Sequence, residues 1–422
     1  MRERLRSATL LTAFLATLAA SPGCASHSKS GATPSAGAGT APTPVAAATT
    51  SSDLKTHLTA GTDFLKRGLL DDAEREFRLA LETDANNLDA IAGLGEVEAA
   101  RGHYSQALPH LERATRVSPQ MVSAFRSLGD AYAATGDLTR AATAYRQAVA
   151  LSPTDVGMRL SLARSLTQIG EYAEARSVCT EAIRLSKGNP ADMARSYARL
   201  AHAYSGEGKT PEAMASAYKA AELAPRDVEV ARAVAECAVR GGLYAEAAMA
   251  YGKVLQLSPL DVNAKKQLAW VNFKLERYPV AIKNYEAIGD SLGTVDRYYL
   301  AQAYAKSNKV DRAVELYREV VNTDPQNYRG VYCNMANAYY DASRYQRAIE
   351  VVREGLAGDS ASACLKYCWA QALDKLGRHE EAITMFESVQ DDPAYADAAK
   401  RELERQRRIV RLLKTKERGG NQ

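Results

Sequence analysis

The sequence predicts an all-α solenoid of about ten helical hairpins closed by a C-terminal capping helix, and three observations predict it. The first is a column of alanines, Ala73, Ala107, Ala141, Ala175, Ala213, Ala247, Ala281, Ala313, Ala348 and Ala382, with successive gaps of 34, 34, 34, 38, 34, 34, 32, 35 and 34 residues. The second is a column twelve residues upstream that is always Gly or Ala: Gly61, Gly95, Gly129, Ala163, Ala201, Ala235, Ala269, Ala301, Ala336 and Ala370. The third is a proline near the end of several units, as at Pro119, Pro153, Pro225, Pro259 and Pro325. A fixed period of this length replaces the several globules that 422 residues would otherwise suggest with one stacked body.

The first 23 residues read as an address. Arg2, Arg4 and Arg6 precede an uncharged stretch from Ser7 to Ala20, rich in Ala and Leu, too short for a comfortable membrane span but suited to a signal-peptide core. Ser21-Pro22-Gly23-Cys24 follows, and a small residue directly before a Cys resembles the lipobox of bacterial lipoproteins, in which the Cys becomes the acylated first residue. Ser21 and Pro22 depart from the Leu and the Ala or Ser usual in that family, so ordinary cleavage after Ala20 or Ser21 is the alternative. Ala25, and no Asp, follows the Cys; for an acylated Cys24 the resemblance implies the outer membrane of a double-membraned bacterium, facing the periplasm. Residues 24–53 are almost wholly Ala, Ser, Thr, Gly and Pro, which cannot bury enough apolar surface to offset their ordering entropy and read as a disordered tether.

From residue 54 to residue 396 each unit splits into two amphipathic helices. In the clearest, Phe125, Leu128 and Tyr132 share a face of the first helix, Gly136-Asp137 makes the turn, and Ala141, Tyr145 and Ala148 lie on the second. Proline then stops the helix, because it lacks the N–H that the next turn needs. Neither helix can bury its apolar face alone, so each hairpin depends on its neighbours. Units run over 54–87, 88–121, 122–155, 156–189, 194–227, 228–261, 262–293, 294–327, 329–362 and 363–396. An insertion at Pro190-Ala191-Asp192-Met193 and a short seventh unit, where Gly289 to Gly293 replaces the proline, predict a local change of pitch, with a bend or subdivision there. Residues 397–422 form the cap and a basic tail, with Leu403, Val410 and Leu413 as the apolar stripe.

Period, small–large pattern and terminal proline together resemble the tetratricopeptide repeat family, from about Leu54 to Ala396. The resemblance implies a right-handed α-solenoid that binds other proteins, with residues two, five, nine, twelve and thirteen of each first helix facing the concave surface. On this sequence those positions are mostly small or charged in the early units, as at Ala99, Ala100, Arg126, Asp130 and Ala133. In units seven to ten they are Lys266, Trp270, Phe273, Lys274, Tyr298, Gln302, Lys306, Asn337, Tyr340, Tyr367, Gln371 and Lys375. Aromatic anchors among amides and cations suit an extended peptide or helix laid in the groove, since rings supply buried area and polar groups satisfy its backbone. Packing between neighbouring repeats is the competing role for Trp270 and Tyr298. The Lys and Asn set of the family's chaperone-binding clamp does not align here.

The remaining chemistry is sparse. The histidines at 27, 57, 103, 110, 202 and 379 show no metal or catalytic spacing, and no phosphate-cradling loop, Gly-x-Ser-x-Gly or zinc-protease pattern occurs, so neither an enzyme nor a cofactor is expected. Beyond Cys24 the cysteines are Cys179, Cys237, Cys333, Cys364 and Cys368. Cys364 and Cys368 lie one helical turn apart, as a soft-metal or redox pair would, but no further ligand is spaced to complete a site and core packing is the preferred reading, with no metal. Net charge is +4; residues 400–418 carry +6 of it, leaving a body near −2 that is not a nucleic-acid footprint. The basic helix reads as a solvated cap face, with contact to anionic lipid or an acidic partner as the alternative. Together these readings predict an envelope scaffold for an export, pilus or polysaccharide assembly, tied to a membrane by a lipid on Cys24; the alternative is a soluble periplasmic carrier or chaperone-like protein.

Overall fold

The computed structural model describes residues 51–419. The leader, Cys24 and most of the tether lie outside the described residues. Ten helical hairpins follow in order. They are α1 (Ser51–Lys66) with α2 (Leu70–Thr83), α3 (Leu88–Ala100) with α4 (Tyr104–Val117), α5 (Val122–Ala134) with α6 (Leu138–Leu151), and α7 (Val156–Ile169) with α8 (Tyr172–Leu185). Then come α9 (Pro190–Gly206) with α10 (Thr210–Leu223), α11 (Val228–Arg240) with α12 (Tyr244–Leu257), and α13 (Val262–Lys274) with α14 (Tyr278–Glu286). The last three are α15 (Thr294–Lys306) with α16 (Val310–Thr323), α17 (Val331–Asp341) with α18 (Tyr345–Gly358), and α19 (Ala363–Lys375) with α20 (His379–Glu387). A single helix, α21 (Ala396–Gly419), ends the array. No strand occurs among the described residues, and the hairpins with α21 form one compact unit. α1 takes in residues 51–53, which the sequence reading leaves in the tether.

Both small-residue columns are buried throughout: every alanine of the first is at most 1% exposed, and every residue of the second is in the core. The upstream column abuts a larger side chain sixteen residues on. A Cβ on Gly61 would stand 2.8 Å from Phe77, one on Gly95 2.8 Å from Leu111, and one on Gly129 2.6 Å from Tyr145. Glycine at these sites lets the second helix seat its bulky residue directly on the backbone of the first.

A third column becomes visible only in the backbone. Five residues before each alanine, the turn takes a left-handed conformation: Gly68, Gly102, Gly136, Gly170, Gly208, Gly242 and Gly377 in seven hairpins, and Glu276, Asn308 and Ser343, all with φ of 59°, in the other three. Side-chain caps start several first helices. Asn87, Asp155, Asp227 and Asp261 accept from backbone N–H groups two or three residues on.

At the insertion the structure corrects the expected subdivision. Asn189 caps the helix and Pro190 occupies its first turn, so the four extra residues add one turn to α9, which spans 17 residues. α9 packs on α7, α8, α10 and α11, and the compact unit runs unbroken through it. In the seventh hairpin α14 stops after nine residues and a 3₁₀ turn, Gly289–Ser291, leads into α15. The cap also differs in detail: Leu403 is buried, but Leu413 is 47% exposed and Gln406 is fully buried in its stead. Gln406 donates to Asp374 (2.6 Å) and its Oε1 meets His379 Nδ1 at 2.7 Å.

Candidate partner-binding surface

First helices touch one another from hairpin to hairpin, as α1 with α3, α3 with α5, α7 with α9, α9 with α11, α13 with α15, α15 with α17, and α17 with α19. Second helices do not pack on one another in this way. A row of helices that converge along one side curves towards that side, so the first helices line the inner surface of the unit.

The residue directly after each small-column residue stands about 100° further round the helix and leaves the core. Down the ten hairpins this position reads Thr62, Glu96, Asp130, Arg164, His202, Glu236, Trp270, Gln302, Asn337 and Gln371, each of them exposed or half-buried. It forms a polar and charged row with a single indole.

The residues expected at units seven to ten fall into two separate groups. In the first, Trp270 meets Tyr244 and Tyr299 edge-on at 5.7 and 6.5 Å, Phe273 lies 5.3 Å from Tyr299, and Tyr298 lies 5.6 Å from both Tyr299 and Tyr328. Lys274 Nζ sits 5.4 Å from the Trp270 ring centroid, Lys266 pairs with Asp296 at 3.0 Å, and Asn334 donates to the Tyr298 hydroxyl at 3.1 Å. These rings are half-buried and join adjacent hairpins, so packing and surface roles coexist in them. Burial raises the Tyr298 hydroxyl above its ordinary pKa, so it remains neutral. The second group surrounds the last hairpin: Tyr340 packs edge-on to Tyr345, and Tyr367 stacks on Tyr395 at 5.0 Å. Gln302 and Gln371 are half-buried, while Lys306, Asn337 and Lys375 are exposed. Tyr299, the hub of the first group, is not among the residues that the positional rule selects.

A second feature lies in the middle hairpins. His202 on α9 is surrounded by Arg199 on its own helix, Arg164 on α7 and Arg240 on α11. Burial first, and these three cations after it, push the imidazole down to about 4. Glu236 approaches its Nδ1 only to 3.9 Å. Burial, with Arg164 beside it, also lowers Arg199. Arg164, Arg199 and Arg240 form no ion pair or side-chain hydrogen bond among the described residues. Towards the N-terminus the sign reverses: burial raises Glu96, and Asp130 accepts from the Tyr145 hydroxyl at 2.6 Å. The positional rule that selects Trp270 also selects Arg164, His202 and Arg240; what it misses is Arg199, and that the four converge.

Among the described residues, histidine hydrogen bonds end on carboxylates or an amide, as His57 on Glu76 (2.7 Å), His103 on Glu98 (2.8 Å) and His379 on Gln406 (2.7 Å). For the cysteines the fold supplies what spacing does not show. Cys333 on α17 is disulfide-bonded to Cys364 on α19, and Cys368 lies beside them.

Family profiles described as tetratricopeptide repeat match residues 93–156, 132–200, 194–227 and 297–327. The chain belongs to the tetratricopeptide repeat family. A profile described as anaphase-promoting complex, cyclosome, subunit 3 matches residues 319–389 of the same array. No curated protein matches the chain. Among solved structures, a tetratricopeptide repeat protein from Parabacteroides merdae is 16% identical, over 60% of this chain and 99% of its own, with a TM-score of 0.49. PilW, described as a widely conserved type IV pilus biogenesis factor, is 14% identical over 48% of this chain and 93% of its own, with a TM-score of 0.43. The tetratricopeptide domain of P58(IPK) is 18% identical over 85% of this chain and 99% of its own, with a TM-score of 0.27. As a tetratricopeptide array, the protein is a scaffold for protein–protein interaction.

Proposed function

We propose that the protein is an envelope scaffold that holds an extended segment of a partner along the inner surface of its first helices, in support of an export, pilus or polysaccharide assembly. The observation that carries this reading is the row of unburied polar, charged and indole side chains running through all ten hairpins, beside columns that are wholly buried. The arginines around His202 form no close ion pair, Glu229 and Glu236 acting on Arg199 only at longer range, so they suit a segment that carries acidic groups to the middle hairpins. Beyond them, Trp270 and the neighbouring rings offer apolar anchorage. The leader and Cys24 support attachment to the outer membrane on its periplasmic side.

A photocrosslinking residue placed at Gln302 or Glu236 should capture the partner, whereas one at exposed Lys253 on α12 should not. Equal capture from both faces would overturn the inner-surface reading. A scaffold returns a few stoichiometric components; many substoichiometric clients would instead support a periplasmic carrier. Separately, Cys24→Ser should release the protein from the membrane fraction, and retention of that variant would rule out the lipid anchor.

A further inference from the structure

Three sulfur atoms meet between the ninth and tenth hairpins. Cys364 and Cys368 project from successive turns of α19, and Cys333 reaches them from α17, which packs directly on α19. All three Sγ atoms lie within 4.8 Å of one another. Cys333 and Cys364 are joined as a disulfide, and Cys368 Sγ stands 3.7 Å from Cys333 Sγ. Cys333 and Cys368 are 6% and 5% exposed, while Cys364 is partly open to solvent. No carboxylate or imidazole belongs to the cluster.

We propose that, with the bridge opened by a thiol or phosphine reductant, Cys333, Cys364 and Cys368 form a three-thiolate site for one soft monovalent cation, the cuprous ion. Geometry is the first argument. Sulfurs that ligate one cation at about 2.3 Å in a plane stand about 4 Å apart. The Cys333–Cys368 separation already meets that spacing, so only Cys333 and Cys364 must part, across two packed helices that hold all three side chains in place. Ligand chemistry is the second. A set made only of thiolates selects soft ions, and the cluster lacks the fourth thiolate or imidazole that tetrahedral zinc takes. Asn337 Oδ1, which accepts from the Cys368 thiol at 3.0 Å, is a hard oxygen and a weak partner for such an ion.

The balance is simple. Two electrons from the reductant and two protons convert the Cys333–Cys364 bridge into two thiols, which with Cys368 makes three; a thiol supplies the protons as it becomes a disulfide, and a phosphine takes them from water as it becomes the phosphine oxide. Coordination of one cuprous ion then releases three protons. Because coordination releases three protons, occupancy of the site rises with pH.

The test uses the full chain carrying Cys24→Ser, reduced by a phosphine, stripped of excess reductant without oxygen, and titrated with cuprous ion against a bathocuproine chelator. One equivalent should bind ahead of the chelator, with a thiolate-to-copper charge-transfer band, and more tightly at pH 8 than at pH 6. Cys364→Ala and Cys368→Ala should each lower the affinity at least tenfold, whereas Cys179→Ala with Cys237→Ala, whose thiols lie elsewhere, should leave it unchanged; circular dichroism confirms that each variant is folded. The proposal fails if folded reduced protein binds nothing ahead of the chelator, if the cluster variants retain the equivalent, or if zinc displaces the cuprous ion at equal concentration.

Discussion

At the residue scale, three positions show how local geometry sets the sign of a substitution. Gly129 faces Tyr145, and an added Cβ would meet the ring at 2.6 Å. Gly129→Ala should therefore destabilise the array by about 1–3 kcal/mol, despite alanine's better helix propensity, as read by urea denaturation. Glu276 has the opposite character. It holds φ of 59° where seven hairpins place glycine. Left-handed backbone costs a residue with a Cβ about 1–2 kcal/mol, and glycine's extra chain entropy returns part of that, so Glu276→Gly should stabilise by about 0.5–1 kcal/mol. The sequence shows the two alanine-rich columns because they are chemically uniform. It hides the third because Glu, Asn and Ser interrupt the glycines, and only the backbone shows that all ten turns share one conformation. His202 supplies the pH dependence. Its folded pKa is pushed down to about 4, below the ordinary histidine value, so the unfolded chain binds more protons between the two. Stability is then complete above the ordinary value and declines as pH falls towards 4, by up to about 3 kcal/mol. His202→Gln should flatten that part of the profile, and an NMR titration of the imidazole gives the pKa directly.

At the scale of the element, the four-residue insertion and the final helix are the informative cases. The insertion looks like a break in the period, yet Asn189 accepts from the N–H groups of Ala191 and Asp192 at 3.2 Å and starts a longer α9. Asn189→Ala should cost about 1 kcal/mol and fray the added turn, seen as faster amide exchange confined to residues 191–196. Helix α21 was legible as amphipathic, but its register was not, because a buried glutamine carries no apolar signal. Gln406 is buried through its bonds to Asp374 and His379. Replacing it with Leu would remove one hydrogen-bond partner each from the half-buried Asp374 carboxylate and His379 imidazole, so Gln406→Leu should destabilise the last hairpin by about 1–3 kcal/mol, with exchange rising first in α19 and α20. Part of the basic character of α21 is taken up by local pairing, since Arg405 pairs with Asp374 and Glu402, Arg407 with Glu387, and Lys414 with Glu380.

For the whole molecule, nearest-neighbour stacking means that damage in one hairpin spreads through its interfaces, and unfolding should begin at the weaker ends of the array. The inner row ties this architecture to function. Reversing charge with Arg199→Glu should weaken partner capture at the middle hairpins without unfolding the array, because Arg199 has no ion pair to lose. The loss should be strongly salt-dependent, as binding to unpaired cations is. A pull-down over a salt series measures it.

The sequence by itself determined the repeat and the helical class, because stacked hairpins demand small residues at fixed intervals and every unit must solve the same packing problem. The candidate inner-surface positions came from the positional rule that the family resemblance implies. What only the tertiary structure decided is which of those side chains meet. Arg164, Arg199, His202 and Arg240 come from three hairpins, and Cys333 lies 31 residues from the cysteine it bonds. Such convergence depends on the angle between successive hairpins, and that angle is set by many packing contacts summed across their interfaces.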